Sequence, residues 1–206
     1  MNVCVIGSGG REHALCFKLK QSSKLKKLYC MPGNAGTEEI STNLNIDISN
    51  FKKIYETIKE HQIDLVVVGP ETPLVHGIVD FLEDKKIRVF GPSKKAAKLE
   101  GSKIFMKDMC KKFNIPSAKF CELKSIEEAE EKLKDFQEPI VVKSDGLAAG
   151  KGVTICETKE KALDDIKSIL SGKFSTSSRV IIEEFLKGEE ASYFVITDGK
   201  NFKQIG

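Results

Sequence analysis

Pro139-Ile140-Val141-Val142-Lys143-Ser144-Asp145-Gly146-Leu147-Ala148-Ala149-Gly150-Lys151-Gly152-Val153 is the stretch on which the reading of this chain turns. A short apolar run ends in Lys143, passes into a loop of small residues, and re-enters a β-branched run at Val153-Thr154-Ile155. Bounded apolar runs of this length read as buried strands, with the glycines marking the turn between them. Gly146, Gly150 and Gly152, with Ala148 and Ala149, let the loop lie close to a ligand, and its free backbone N–H groups can point at phosphate oxygens. Lys143 and Lys151 bring two positive charges to the same place. The stretch is a candidate nucleotide triphosphate site.

It is not a P-loop. That motif needs four residues between its first glycine and its Gly-Lys pair, then a Ser or Thr for magnesium. Here Leu147, Ala148 and Ala149 alone intervene, and Gly152 stands at the hydroxyl position. The alternative is an ordinary β-hairpin with an exposed tip. Such tips usually carry Asn, Asp and Ser, whereas Leu147-Ala148-Ala149 is apolar and suggests a covering partner.

Composition sets the outer bounds. At 206 residues, 40% apolar and 31% charged, the chain can build one large or two small globular domains. A net charge of +3, with lysines spread over helical faces, points weakly to anionic small molecules and gives no support for nucleic acid or a membrane. Cys4, Cys16, Cys30, Cys110, Cys121 and Cys156 form no CxxC pair, so buried free thiols in a reducing compartment are expected. His13, His61 and His76 are too dispersed for a zinc cluster. No signal peptide and no run of membrane-spanning length is read, and a cytoplasmic protein is expected.

Outward from the central stretch, the first half alternates strands and helices. Asn2 to Ile6 reads as a strand, followed by Gly7-Ser8-Gly9-Gly10 and a helix from about Arg11 to Gln21. The dinucleotide fingerprint would need a third glycine where Glu12 stands, and an acidic residue at the end of the second strand, which instead runs from Leu28 to Met31 into Pro32. NAD is therefore not the expected ligand. A phosphate ester held by the backbone or by Arg11 is one reading of the turn; close helix–strand packing is the other. Strands are further expected at Asn43–Ile48, Asp64–Val68 and Ile87–Phe90, with helices from Asn50 to Glu60 and from beyond Leu74 to about Asp84. Alternation of this kind predicts a parallel doubly wound α/β domain with ligands at the carboxyl ends of its strands, where Glu71 lies. A solvated loop glutamate is the alternative for Glu71.

Around Glu100-Gly101-Ser102 the organisation changes. Ser102 can cap a helix reaching Phe113, with Lys103 near its start. A strand at Ser117–Glu122, a helix from Ser125 to Phe136 and another from Thr158 to about Leu170 frame the central stretch. Arg179 to Glu190 then delivers Glu183 and Glu184 on a strand, kinks near Gly188, and delivers Glu189 and Glu190 before a strand at Ala191–Ile196. This spacing can offer an adenine backbone groups beside an apolar slot, and a ribose a carboxylate; a charged edge strand is the alternative. Asp198-Gly199-Lys200-Asn201 reads as a hairpin turn. A sheet that stops at its last hairpin leaves an open edge, so the chain is expected to be the first part of a longer protein.

Taken together, Gly7-Ser8-Gly9-Gly10-Arg11-Glu12-His13-Ala14, Pro32-Gly33-Asn34-Ala35-Gly36-Thr37, Gly69-Pro70-Glu71-Thr72-Pro73-Leu74, Glu100-Gly101-Ser102-Lys103, Lys143 to Gly152 and Glu183-Glu184-Phe185-Leu186-Lys187-Gly188-Glu189-Glu190 resemble the phosphoribosylamine–glycine ligases of purine biosynthesis. The resemblance runs the length of the chain. It departs at Ser144, where alanine is usual, and at Lys187, a variable hinge position. It implies a substrate-binding α/β domain over residues 1–101 and an incomplete α+β ATP-grasp domain over 102–206, with a flexible nucleotide flap subdomain at about 117–187.

The resemblance further implies an ATP-dependent carbon–nitrogen ligase. Glycine and 5-phosphoribosylamine would be joined through glycyl phosphate, with release of ADP and phosphate. Lys103 and Lys143 would be catalytic and touch the ATP phosphates. Gly146, Leu147, Ala148, Ala149, Gly150, Lys151 and Gly152 would form the flexible flap over them, and Val142 and Asp145 would also contact ATP. Glu183, Glu184, Phe185 and Leu186 would read adenine, and Glu190 would hold the ribose. Gly9, Gly10 and Arg11 would take the phosphate of phosphoribosylamine, with Asn34 and Glu71 near its ribose. Mg2+ or Mn2+ would be held by residues beyond 206, so this chain would bind nucleotide weakly and not complete ligation. A monomer is expected. The alternatives are a non-catalytic nucleotide-binding fragment and another ATP-grasp ligase or carboxylase of the same pathway.

Overall fold

The structure, a computed structural model, describes residues 1–147, 151–173 and 179–205. The first half is built on a five-stranded sheet: β1 (Asn2–Gly7), β2 (Lys27–Pro32), β3 (Thr42–Asn43), β4 (Leu65–Val68) and β5 (Val89–Phe90), in the order β3-β2-β1-β4-β5. Every pairing is parallel, with Ile6 between Met31 and Val68. The apolar runs are continuous because both faces are buried. Cys4, Ile6, Tyr29, Met31, Val66 and Val68 face α3 (Phe51–Glu60) and α5 (Ile78–Asp84). Val3, Val5, Leu28, Cys30 and Val67 face α1 (Gly10–Lys20). This is the doubly wound α/β arrangement expected from the alternation.

The second half has a four-stranded sheet of different character. β6 (Phe120–Leu123), β7 (Ile140–Ser144), β8 (Val153–Cys156) and β9 (Val180–Glu184) lie in the order β6-β9-β7-β8, and every pairing is antiparallel. Side chains alternate across it. Leu123, Ile140, Val142, Cys156, Val180 and Ile182 pack with α8 (Ile126–Lys132) and α9 (Lys159–Leu170) into a second core. The opposite face carries Val141, Lys143, Val153, Ile155, Ile181 and Glu183, as the register requires. Val153 and Ile155 on it are exposed.

Several expected boundaries need correction. The strand read at Asn43–Ile48 is confined to Thr42–Asn43, because Leu44 and Ile46 turn inward to pack on the core beneath α3. The helix read through to Asp84 is broken into α4 (Glu71–His76) and α5 at Gly77, whose φ of 94° leaves the right-handed helix. The strand at Ser117–Glu122 is shifted to Phe120–Leu123, paired with β9. The helix from Ser125 ends at Lys132 and tightens into a 3₁₀ turn at Leu133–Asp135. The strand read at Ala191–Ile196 is reduced to β10 (Val195–Thr197), which pairs with β11 (Phe202–Gln204) in a separate hairpin. Its turn is held as expected: Asp198 accepts from the backbone N–H of Asn201 at 2.7 Å and of Lys200 at 2.9 Å. These bonds draw its carboxyl down to about 2.

Two short helices escaped the sequence reading, α2 (Ala35–Glu38) and α6 (Lys94–Gly101). The helix expected from Ser102 forms as α7 (Lys103–Lys112), with Ser102 Oγ accepting from Phe105 N. All six thiols are free; Cys110 and Cys121 are half-buried and the other four buried. Among the described residues, no helix is long and apolar enough to cross a membrane.

Candidate functional site

In the parallel sheet the strand order reverses between β1 and β4, and the loops at their carboxyl ends form a crevice there. Arg11, in the first turn of α1, donates to the Gly69 carbonyl at 2.9 Å and pairs with Glu71 at 2.9 Å. The Glu71 carboxyl lies below its ordinary range, chiefly because its own backbone N–H donates to it, with Arg11 adding to the effect. Asn34 Nδ2 donates to the carbonyls of Ser8 at 2.8 Å and Gly9 at 3.3 Å. Its Oδ1 accepts from Thr37 N at 2.9 Å, capping α2. Asn34 is thus a brace between two loops, and its own carbonyl is tied down by Asn43 Nδ2 at 2.8 Å.

The turn expected to present its backbone to a phosphate is only partly free. Glu12, 4% exposed, accepts the Gly9 N–H on Oε2 at 2.7 Å. Gly9 N–H is thus engaged at the start of α1, while Gly10 and the Arg11 side chain are exposed. Glu12 also explains why Gly7 and Gly69 are glycines. A Cβ on Gly7 would sit 2.5 Å from Glu12 Cγ, and one on Gly69 would overlap Glu12 Oε1. The residue that spoils the dinucleotide fingerprint is a buried structural carboxylate.

In the antiparallel half, Lys143 Nζ meets Glu183 Oε2 at 3.0 Å from the neighbouring strand. Their register explains the contact: Lys143 opposes Ile181 and Val141 opposes Glu183, so the two side chains are diagonal neighbours on one face. A second lysine, Lys107 of α7, reaches the same Oε2 at 2.9 Å. Glu183 Oε1 is buried without a hydrogen-bond partner among the described residues.

Asp145, buried just past β7, ties the glycine loop to α7. It accepts from Ser102 Oγ at 3.1 Å and from Ile104 N at 3.2 Å. Beside it, Lys103 Nζ donates to the Gly146 carbonyl at 2.9 Å. Burial pulls the Lys103 ammonium below the ordinary lysine range; Asp145 opposes that and Lys143 reinforces it. Arg11, Glu71, His76, Lys103, Gly146, Leu147 and Gly152 are among the residues lining a cleft of about 870 Å³. That size suits a small-molecule site.

The remaining expectations divide. The side chain of Val142 is fully buried in the α8/α9 core. Glu184 is turned to β6: its N–H donates to the Lys119 carbonyl at 3.0 Å, and Oε1 accepts from Lys119 N at 2.8 Å. Phe185 and Leu186 are exposed beyond β9. Glu190 and Lys151 are exposed. Ala148, Ala149 and Gly150 lie outside the described residues. Lys107 was missed because it sits among Lys103, Lys111 and Lys112 on a helix whose charges resemble a solvated face. The available signal was its position three residues after Ile104, which places both on one side of the helix.

Residues 1–100 match the family "Phosphoribosylglycinamide synthetase, N domain", and residues 101–206 match "Phosphoribosylglycinamide synthetase, ATP-grasp (A) domain". The chain is 48% identical over 207 residues to a phosphoribosylamine–glycine ligase of Brucella melitensis, covering 100% of this chain and 48% of the relative. It superposes on the crystal structure of the Thermotoga maritima phosphoribosylamine–glycine ligase with a TM-score of 0.84 at 35% identity, covering 99% of this chain and 49% of that one. A TM-score of 0.70 at 18% identity to the biotin carboxylase domain of Hydrogenobacter thermophilus 2-oxoglutarate carboxylase shows a shared fold alone, over 90% of this chain and 44% of that one. The chain thus spans about half the length of the curated relatives it matches.

Proposed function

Because this chain belongs to the phosphoribosylglycinamide synthetase family, we propose that it supplies the sugar-phosphate site and nucleotide flap of an ATP-dependent ligase. The ligase joins glycine to 5-phosphoribosylamine and yields glycinamide ribonucleotide, ADP and phosphate. Residues 1–101 serve as the substrate domain and 102–206 as ATP-grasp, with the flap at about 117–187. The observation that carries the reading is the shared cleft, lined by Arg11, Glu71, Lys103 and Gly146 together.

The chemistry suits that arrangement. A glycine carboxylate oxygen attacks the γ-phosphorus and ADP leaves, giving glycyl phosphate. The phosphoribosylamine nitrogen then attacks the acyl carbon, loses a proton, and phosphate departs. Positioning and charge neutralisation carry such transfers. An acyl phosphate hydrolyses, so both ligands must share one water-poor cleft. Lys103 and Lys143 neutralise the nucleotide phosphates, Val153 and Ile155 offer an apolar bed beside them, and Glu183 Oε1 accepts from the adenine amino group. Gly10 and Arg11 take the sugar phosphate, and Glu71 its hydroxyls.

Mg2+ or Mn2+ belongs with this class of reaction. Among the described residues no three His, Cys, Asp or Glu side chains form a group that could hold a metal ion. The residues present do not fit that role, and no step here runs through a cation. A monomer in the cytoplasm completes the proposal.

The test is ADP release by the chain with ATP, magnesium, glycine and fresh phosphoribosylamine, beside calorimetric ATP titration. ATP binding without turnover, lost in Lys143→Ala, is expected. Turnover requiring both co-substrates would overturn the expectation that the metal ligands lie beyond this chain. Absence of ATP binding to the folded chain would remove the reading.

A further inference from the structure

We propose that Lys107 is a positioning residue of the nucleotide site. It holds Glu183 on its own account, so that Lys143 can exchange this carboxylate for a nucleotide phosphate. The inference rests on the nucleotide reading above and adds a residue to it.

Two ammonium groups share Glu183 Oε2, Lys107 at 2.9 Å and Lys143 at 3.0 Å. They are not equivalent. The Lys107 side chain is 4% exposed and that of Lys143 24%. Lys107 also donates to Ser117 Oγ at 2.7 Å and to the Ala118 carbonyl at 3.3 Å, so its three N–H donors are all engaged. Those acceptors lie on the segment before β6 and on β9, which pins the ammonium between elements. Lys143 pairs with Glu183 among the described residues. Lys107 is the fixed member and Lys143 the exchangeable one.

The pairing matters because a buried carboxylate stripped of its cation is strongly destabilised. Were Lys143 its sole partner, drawing Lys143 to a phosphate would leave Glu183 bare. With Lys107 in place the exchange leaves Glu183 compensated. Both lysines gather on Oε2, so Oε1, buried and without a partner among the described residues, stays open as an acceptor. Lys103 and Lys107 stand four apart on α7, so one helix serves the glycine loop and the carboxylate together.

The full chain and its variants are titrated calorimetrically with the ATP analogue AMP-PNP and with adenosine. Lys107→Met is expected to weaken AMP-PNP by about tenfold or more, the scale of a charge-assisted hydrogen bond, and adenosine by less than about threefold, because adenosine makes no demand on Lys143. Lys107→Arg, which keeps the charge, recovers most of that loss. Adding Glu183→Gln to Lys107→Met removes the stranded charge, and AMP-PNP then binds as it does to Glu183→Gln alone. That pair of variants decides the matter even if Lys107→Met by itself does not fold. Equal losses for AMP-PNP and adenosine, or a double variant weaker than Glu183→Gln, overturn the proposal. A wild-type chain that binds neither ligand would bring down the nucleotide reading first, and this inference with it.

Discussion

The two halves each hold an ion pair of the same length, and the pairs could hardly differ more in setting. Arg11–Glu71 and Lys107–Glu183 are both 2.9 Å, but the first pair is 61% and 38% exposed and the second 4% and 5%. The parallel sheet keeps its strands apolar and hangs its polar groups on the loops beyond them. The antiparallel sheet carries Lys143 and Glu183 within its strands. In the first half the site sits on top of a finished core. In the second the site and the core are two faces of one sheet, so damage to one should be felt in the other.

Glu183→Ala tests that contrast most severely. It strands two lysines, one of them buried, and should cost about 3–5 kcal/mol, whereas Glu71→Ala should cost at most about 1 kcal/mol. Urea denaturation midpoints compare them directly; equal losses would end the distinction. Gly69→Ala comes next. Its Cβ overlaps Glu12 Oε1, and the strain should cost about 1–3 kcal/mol, which would show that the parallel half is rigid at its loops. If the midpoint does not move, Glu12 can yield and the crevice is softer than drawn.

Ile155→Ser probes the uncovered face, since Ile155 is 53% exposed. Stability should change by no more than about 0.5 kcal/mol, while nucleotide affinity falls by about 1–2 kcal/mol, roughly tenfold, as apolar contact is lost. Unchanged affinity would mean that the nucleotide rests elsewhere. The smallest effect concerns pH. Burial lowers the Lys103 pKa, so its ammonium loses its proton at a lower pH than an ordinary lysine. Phosphate binding needs the charged form, so ATP affinity should begin to fall on the alkaline side before ordinary lysines titrate. Lys103→Arg should flatten the profile; a wild-type curve already flat there would contradict the assignment.

Most of the fold was legible because apolar runs and glycine turns are local signals. The Val3–Ile6 and Leu65–Val68 runs announce a sheet buried on both faces, and Lys143 before a small-residue loop marks the strand end on which the proposed phosphate site is built. What was hidden depends on distant partners. Glu12 read as a missing glycine because nothing local says that a carboxylate will be buried beneath Gly7 and Gly69. Lys107 went unread because its partner Glu183 lies far along the chain. The break at Gly77 and the helix at Lys94–Gly101 were masked by Pro73 and by a lysine-rich stretch that resembles a linker.

The alternation of faces in β7, β8 and β9 has a practical corollary in arithmetic. Ile140, Val142, Cys156, Val180 and Ile182 carry even numbers and belong to the packed layer; Val141, Lys143, Val153, Ile155, Ile181 and Glu183 carry odd numbers and lie on the opposite face. Parity alone does not sort variants by effect, because Glu183, on the odd face, also anchors the buried lysine Lys107. The alternation does make a slip of one residue between β7 and β9 self-defeating, since the shifted register would turn Glu183 into the hydrocarbon layer. The charge proposed to serve the nucleotide would thus also hold the sheet in register.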